Sequence, residues 1–197
     1  MKAYQILHGG LLGQVIDVAG VAPEGFTFTA PEGSPDGAWQ WSGRGWRNIS
    51  TETAGLLQQE AQYAEAGERL AALVALIDSE RDARIAAGMP YTFPDGKGTV
   101  QLRNERDITN VIGVGASGMM LAAAGDTETI IGFRDQEDMT HRLTGAQAQA
   151  LGQTVMEWIS AHYAAAWAHK DAVKRLAEAG DLAALASHDI AEGWPGA

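Results

Sequence analysis

The sequence contains no cysteine. That excludes disulfides, thiolate metal sites and cysteine nucleophiles together. Basic residues are scarce: 14 Lys and Arg stand against 25 Asp and Glu, a formal net charge of −11. A chain of that sign is poorly suited to nucleic acid, whose phosphates need clustered cations, and to anionic membrane surfaces. Long apolar runs are also missing. None approaches the ~20 residues of a membrane span, and residues 1–20 lack the basic start and apolar stretch of a signal peptide. We therefore expect a chain synthesised in the cytoplasm, without membrane insertion. No serine-hydrolase motif, helical His-Glu-x-x-His or Walker loop is present. Hence no catalytic residue, cofactor or metal is assigned, and a non-enzymatic role is expected.

What is present suffices for a core. Apolar residues make up 46% of the 197 positions, and a chain of this size can bury roughly 70% of its unfolded surface. The longest amphipathic signal runs from Leu143 to about Ala186. Thr144 and Gln147 form a capping-box pattern at its start. Leu151, Val155, Trp158, His162, Ala165, Ala166, His169, Val173 and Leu176 follow at spacings of three and four, on one stripe. Met156, Tyr163 and Trp167 lie on a second face. Two apolar faces need two covers, one from this chain and the other, we expect, from a second copy.

A second helical pattern spans 51 to about 87, with Glu52 at the positive end of its dipole. Leu56, Tyr63, Leu70, Leu73, Val74 and Ile77 mark its apolar side at near-heptad spacing, interrupted by Glu60 and Gly67. It is either the stalk of an oligomer, as a trimeric coiled coil, or a long helix packed on the C-terminal one. Gly88 and Pro90 end it.

The remainder reads as strands and turns. Residues 4–7 and 14–18 pattern as strands around a turn at His8, Gly9 and Gly10. Pro23, Pro31 and Pro35, with glycines at 25, 33 and 37, punctuate a loop-rich stretch. Trp39 and Trp41 share one face of a strand that turns at 42–45 and returns through Trp46 and Ile49. These three tryptophans suit either stacking on a glycan or partner, or forming the small core of a β module; the small core is the simpler expectation. Pro94-Asp95-Gly96 predicts a hairpin between 91–93 and 99–102. Strands at 129–133 and 139–143 flank an acidic turn, and a break near Gly180 precedes a short helix at 182–186. Trp194 is expected on the last helices. The class is α+β: a β module (1–50), a long helix (51–87) and a helical domain with short hairpins (88–197).

One motif invites a nucleotide. Gly113, Gly115 and Gly118 spell G-x-G-x-x-G, followed by Ile130 to Phe133 and Asp135. The helix after it is too short for a crossover, no further β-α-β unit follows, and Ile108, Val111, Ile112, Met119 and Met120 keep helical spacing. Helix–helix contact glycines are the expectation. His162 and His169, seven apart on the apolar stripe, are read as core or interface histidines. His8, His141 and His188 have no ligand-like neighbours in sequence. Asp135, Glu137 and Asp138 lack the glycine and terminal glutamate of a calcium loop and are expected to form a solvated turn.

A run of residues then suggests a family: Ile77-Asp78, Glu80 to Arg84, Gly88, Tyr91 and Phe93, Arg106-Asp107-Ile108, Phe133-Arg134-Asp135, Leu143-Thr144, Leu151-Gly152, Tyr163, Ala166-Trp167 and Trp194. Over residues 77–197 the chain resembles the C-terminal domain of unknown function found in bacteriophage and prophage tail-fibre and tail-fibre-assembly-like proteins. Residues 1–50 are loosely similar to the short N-terminal modules of such proteins. The resemblance implies an alanine-rich helix where Gly113 to Gly118 fall, and it brings no enzymatic activity. It implies a virion component of the host-attachment apparatus, with other tail proteins and a host-surface glycan as partners. A homotrimer is expected from how fibres are built, and an assembly chaperone absent from the particle is the alternative. A carbohydrate-binding module using Trp39, Trp41 and Trp46 is a further one. Candidate interface residues are Leu70, Val74, Ile77, Trp158, His162 and His169, chosen because surplus apolar helix surface marks a contact.

Overall fold

The computed structural model describes residues 2–7, 10–19, 21–27 and 38–196. His8, Gly9 and the loop positions Pro31, Gly33, Pro35 and Gly37 lie outside the described residues. The fold is α+β, with short antiparallel strand pairs and helices. The chain divides into two compact units, Met1–Leu70 with Leu176–Ala186, and Ala71–Arg175 with Ser187–Ala197.

In the first unit, β1 (Lys2–Ile6) lies between β2 (Leu12–Asp17) and β3 (Phe26–Thr27) in an antiparallel sheet. Tyr4 faces Val15, and the register slips between Tyr4 and Ile6. A separate ribbon pairs β4 (Trp39–Trp41) with β5 (Trp46–Asn48), placing Trp41 opposite Trp46. Its turn closes through Ser42 N–H on the Gly45 carbonyl, 2.9 Å, with Gly43 at φ +89° supplying the left-handed step. α1 (Thr51–Ala86) starts at Ser50, whose Oγ accepts from Thr53 N–H at 3.1 Å. Gly180, at φ +68°, breaks the helical run, and Asp181 then caps α4 (Leu182–Ser187) by accepting from Ala184 N–H. Gln62 on α1 donates to the Gly180 carbonyl.

In the second unit, Gly88 adopts φ +93° two residues after the end of α1, where a Cβ would meet Thr99 and the Val100 carbonyl. β6 (Met89–Phe93) and β7 (Gly96–Val100) then form a hairpin around Pro94 and Asp95. Its strands lie slightly N-terminal to the expected ones, because Gly96 at φ +154° already pairs with Phe93. α2 (Glu105–Ala123) is capped by Asn104, which accepts from Asp107 N–H at 3.0 Å. β8 (Ile130–Arg134) and β9 (Thr140–Thr144) form a second hairpin, with Phe133 opposite His141. α3 (Gly145–Glu178) opens on the predicted capping box: Thr144 N–H donates to Gln147 Oε1 at 2.9 Å, and Gln147 N–H to Thr144 Oγ1 at 3.4 Å. Both hairpins and α2 pack on the first turns of α3, where Phe93, Val111, Phe133, Leu143, Leu151 and Val155 share one core.

Candidate functional site

α2 and α3 touch through glycines. A Cβ on Gly115 would lie 2.9 Å from Gly152 Cα, and one on Gly118 would lie 2.5 Å from both the Gln149 nitrogen and the Gly145 oxygen. Only glycine permits that approach. These are two of the three glycines of the dinucleotide-like motif. All three lie within α2, where backbone amides are occupied by helical hydrogen bonds and form no phosphate cradle. The remaining one, Gly113, has nothing within 4 Å of its Cβ position and faces outward.

Gly113 belongs to an uncovered face. Ile112, Met119 and Met120 on α2 are 43%, 55% and 64% exposed, and Met156 on α3 is 52% exposed. Between the two helices runs a groove of about 370 Å³, lined by Ile112, Ala116, Met119, Gly152, Gln153 and Met156 among others. Residues 108–125 and 143–156 contain no charged side chain, although one residue in five of the whole chain is charged. Further along α3, Tyr163 and Trp167 are exposed, with Arg81 4.5 Å above the Tyr163 ring. Among the described residues, the second apolar face of the C-terminal helix is exposed at Met156 and Trp167 and partly covered by Arg81 at Tyr163.

A second feature lies in the hairpins. His141 is buried, its Nδ1 2.6 Å from Asp95 Oδ1 and its Nε2 3.0 Å from Asp135 Oδ2. Phe93 stacks on the imidazole at 3.7 Å and 5°. A Cβ on Gly98 would overlap Asp135 Oδ2, so glycine is required there. Burial alone would push His141 down, but hydrogen bonds and charge from Asp135 and Asp95 outweigh it and hold its pKa above the ordinary value. Burial would likewise raise Asp135, and the same His141 contact with the Met139 N–H holds it below the ordinary carboxylate value instead. Two further bonds join the hairpins: Gln136 N–H to the Thr99 carbonyl, and Thr99 N–H to Glu137 Oε2. Both imidazole nitrogens face carboxylates, and in its protonated form His141 donates to Asp95 and to Asp135. The cluster is a latch between hairpins.

This corrects the expectation of a solvated acidic turn, since Asp135 is 3% exposed and works inside the fold. Only Glu137 and Asp138 remain on the surface. His141 was missed because its partners stand 6 and 46 residues away. One signal was available: strand alternation puts His141 on the same face as Leu143, the buried side of β9.

The expected interface residues divide. Ile77 and His162 are 0% and 1% exposed and lend no area to an outer surface. Leu70, Val74, Trp158 and His169 are half-buried. His162 Nδ1 lies 2.9 Å from the Trp158 carbonyl, so its donor is satisfied one turn back. His169 holds the C-terminal strap: its Nδ1 meets His188 Nε2 at 3.0 Å, its Nε2 meets the Glu192 carbonyl at 2.9 Å, and Trp194 stacks beside it. Burial and the neighbouring His169 keep His188 below the ordinary histidine pKa. Among the tryptophans, Trp39 is 8% exposed, while Trp41 and Trp46 are half-buried and tilted together at 5.3 Å. No group of three or more His, Asp or Glu among the described residues converges on a possible metal position. No helix among them is long and apolar enough to cross a membrane.

The family described as domain of unknown function DUF4376 matches residues 68–191, more than half of the chain. The chain belongs to that family. No curated protein and no solved structure matches it.

Proposed function

We propose that this member of the DUF4376 family is a non-enzymatic structural component of a bacteriophage tail, acting in the fibre or tip as a homotrimer. The observation that carries the proposal is the uncovered apolar helix surface at Ile112, Met119, Met120, Met156 and Trp167. Contiguous patches of this kind on a charged chain mark a contact with another polypeptide. The resemblance of residues 77–197 to the domain of tail-fibre and tail-fibre-assembly-like proteins is what suggests this setting. In this assignment residues 1–50 attach to a neighbouring tail protein or face a host glycan. α1 serves as the axial element, offering Leu56, Tyr63 and Leu76, each about half exposed or more. Residues 88–197 form the body. The protein is made in the host cytoplasm and ends in the virion.

Quantitative mass spectrometry of purified infectious particles tests the assignment. A copy number that is a small multiple of three is expected. The second reading is an assembly chaperone that holds a fibre tip transiently, and the methionine content of the face favours it, since flexible thioethers adapt to varied clients. Its signature is abundance in the lysate with absence from the particle. Glycan titration of the wild type and Trp41→Ala addresses the host-facing partner; saturable binding lost in the variant is the expected result if Trp41 and Trp46 form the platform.

A further inference from the structure

Residues 187–196 lie against α3 as a strap, and histidines fasten it. His169 on α3 sits between two partners: its Nε2 is 2.9 Å from the Glu192 carbonyl and its Nδ1 is 3.0 Å from His188 Nε2. A carbonyl only accepts, so the hydrogen-bond network assigns the His169 proton to Nε2 and leaves a lone pair on Nδ1. Histidines that ligate metals are commonly set this way, with one nitrogen tied to a carbonyl and the other aimed at the ion. Trp194 stacks beside the His169 ring at 5.4 Å and 28° and fixes its plane.

His188 supplies a second nitrogen. Burial and the neighbouring His169 keep it below the ordinary histidine pKa, so it is neutral at pH 7 and needs to expel no proton to bind an ion. As a hydrogen bond, His188 Nε2–H donates to His169 Nδ1. Moving that one proton to His188 Nδ1 leaves two lone pairs facing the same gap. With metal–nitrogen bonds of about 2.1 Å, nitrogens 3.0 Å apart subtend close to a right angle. That angle separates neighbouring ligands in the tetragonal shells of nickel and copper, and a small outward shift reaches the tetrahedral angle of zinc. Both rings are half-buried, so water can complete the shell. The strap's charge suits a cation, since residues 187–197 carry Asp189 and Glu192 and no Lys or Arg. Two of the other histidines do not compete: His141 faces two carboxylates, and His162 is 1% exposed beside the Trp158 carbonyl.

We propose that His169 Nδ1 and His188 Nε2 together take a divalent late transition ion, with water in the remaining positions, and that the ion fastens the strap to α3. Two protein ligands are fewer than a structural zinc centre uses, so the ion is exchangeable and tightens the strap rather than building the fold. This inference stands apart from the self-association proposed above.

Calorimetric titration of the untagged full chain with zinc chloride and with nickel chloride tests it, on the wild type, His169→Gln, His188→Gln and His8→Gln. Saturable binding of one ion per chain is expected in the wild type and in His8→Gln, with affinity at least about tenfold weaker in the other two. Magnesium, which prefers oxygen ligands, should not saturate the site. Binding that survives His188→Gln undiminished would overturn the proposal, as would no saturation by either metal at millimolar concentration. A second measurement needs no variant: nitrogen-15 spectra of the wild-type imidazoles during zinc titration. The His169 Nδ1 and His188 Nε2 resonances should move while His169 keeps its proton on Nε2. Shifts confined to other imidazole nitrogens would contradict the site. Saturating zinc should also slow hydrogen exchange across 187–196, and unchanged exchange there would overturn the fastening role.

Discussion

The two sides of α2 are made of the same kinds of residue and meet opposite surroundings. The inner side, with Val111 and Gly118, is buried against α3 and the hairpins. The outer side, with Ile112, Gly113, Ala116, Met119 and Met120, meets nothing from its own unit that covers it. Composition does not separate them. What separates them is the size of the residue at the point of contact: glycine where a backbone must approach, methionine where side chains stand out. Apolar residues on a helix show that cover is needed and leave open which molecule provides it.

The sharpest break of the covered side is His141→Leu. It leaves Asp135 buried without its counter-charge, which should cost about 3–5 kcal/mol in urea unfolding. The same latch gives the comparison a pH axis. His141 binds its proton more tightly in the folded state, so its contribution is whole below the ordinary 6.5 and is lost as pH climbs through the raised folded value. Asp135 acts oppositely: its contribution is present above the ordinary 3.8 and is lost as pH falls through its lowered value. Stability should therefore decline on the alkaline side in the wild type, and His141→Leu should flatten that decline. A variant that retains the wild-type alkaline slope would show that the latch is not its source.

Next in size is Leu151→Ala, which opens a cavity in the core shared with Val111 and should cost about 2–5 kcal/mol. Gly118→Ala should cost less, about 1–3 kcal/mol, by forcing α2 off the Gln149 and Gly145 backbone. Its counterpart Gly113→Ala, in the same motif and helix, should gain up to about 1 kcal/mol, because a methyl there meets open space and removes a flexible residue. Opposite signs at 113 and 118 in thermal unfolding would establish the two-sided reading of α2. Equal losses at both would dissolve it. The smallest effect lies at the strap. His188 is held below 6.5, so its contribution is present above that value and is lost as pH falls. Mild acid should loosen residues 187–196 first, visible as faster hydrogen exchange there.

Much of the fold was legible in the residues. The capping box at Thr144, the Gly180 break, the Pro94-Asp95 turn and the helical spacing across Gly113 to Gly118 each predicted a local element that forms. Trp194, expected on the last helices, is 4% exposed and stacks on His169. Local signals succeed because caps and turns are settled within a few residues. Contacts set by tertiary packing were less legible. Leu56 and Tyr63 marked the apolar side of α1 and are exposed, while Ile77 from the same pattern is fully buried. Near-heptad spacing gives a stripe and not the length over which it is covered. The His141 latch was hidden because burial and two distant carboxylates, rather than neighbours in sequence, define it.

Sedimentation velocity of the wild-type protein at micromolar concentration tests the central claim, that this chain works by meeting copies of itself. One species of three times 20.8 kDa that persists on dilution is expected. A single species of 20.8 kDa across the concentration range would contradict it.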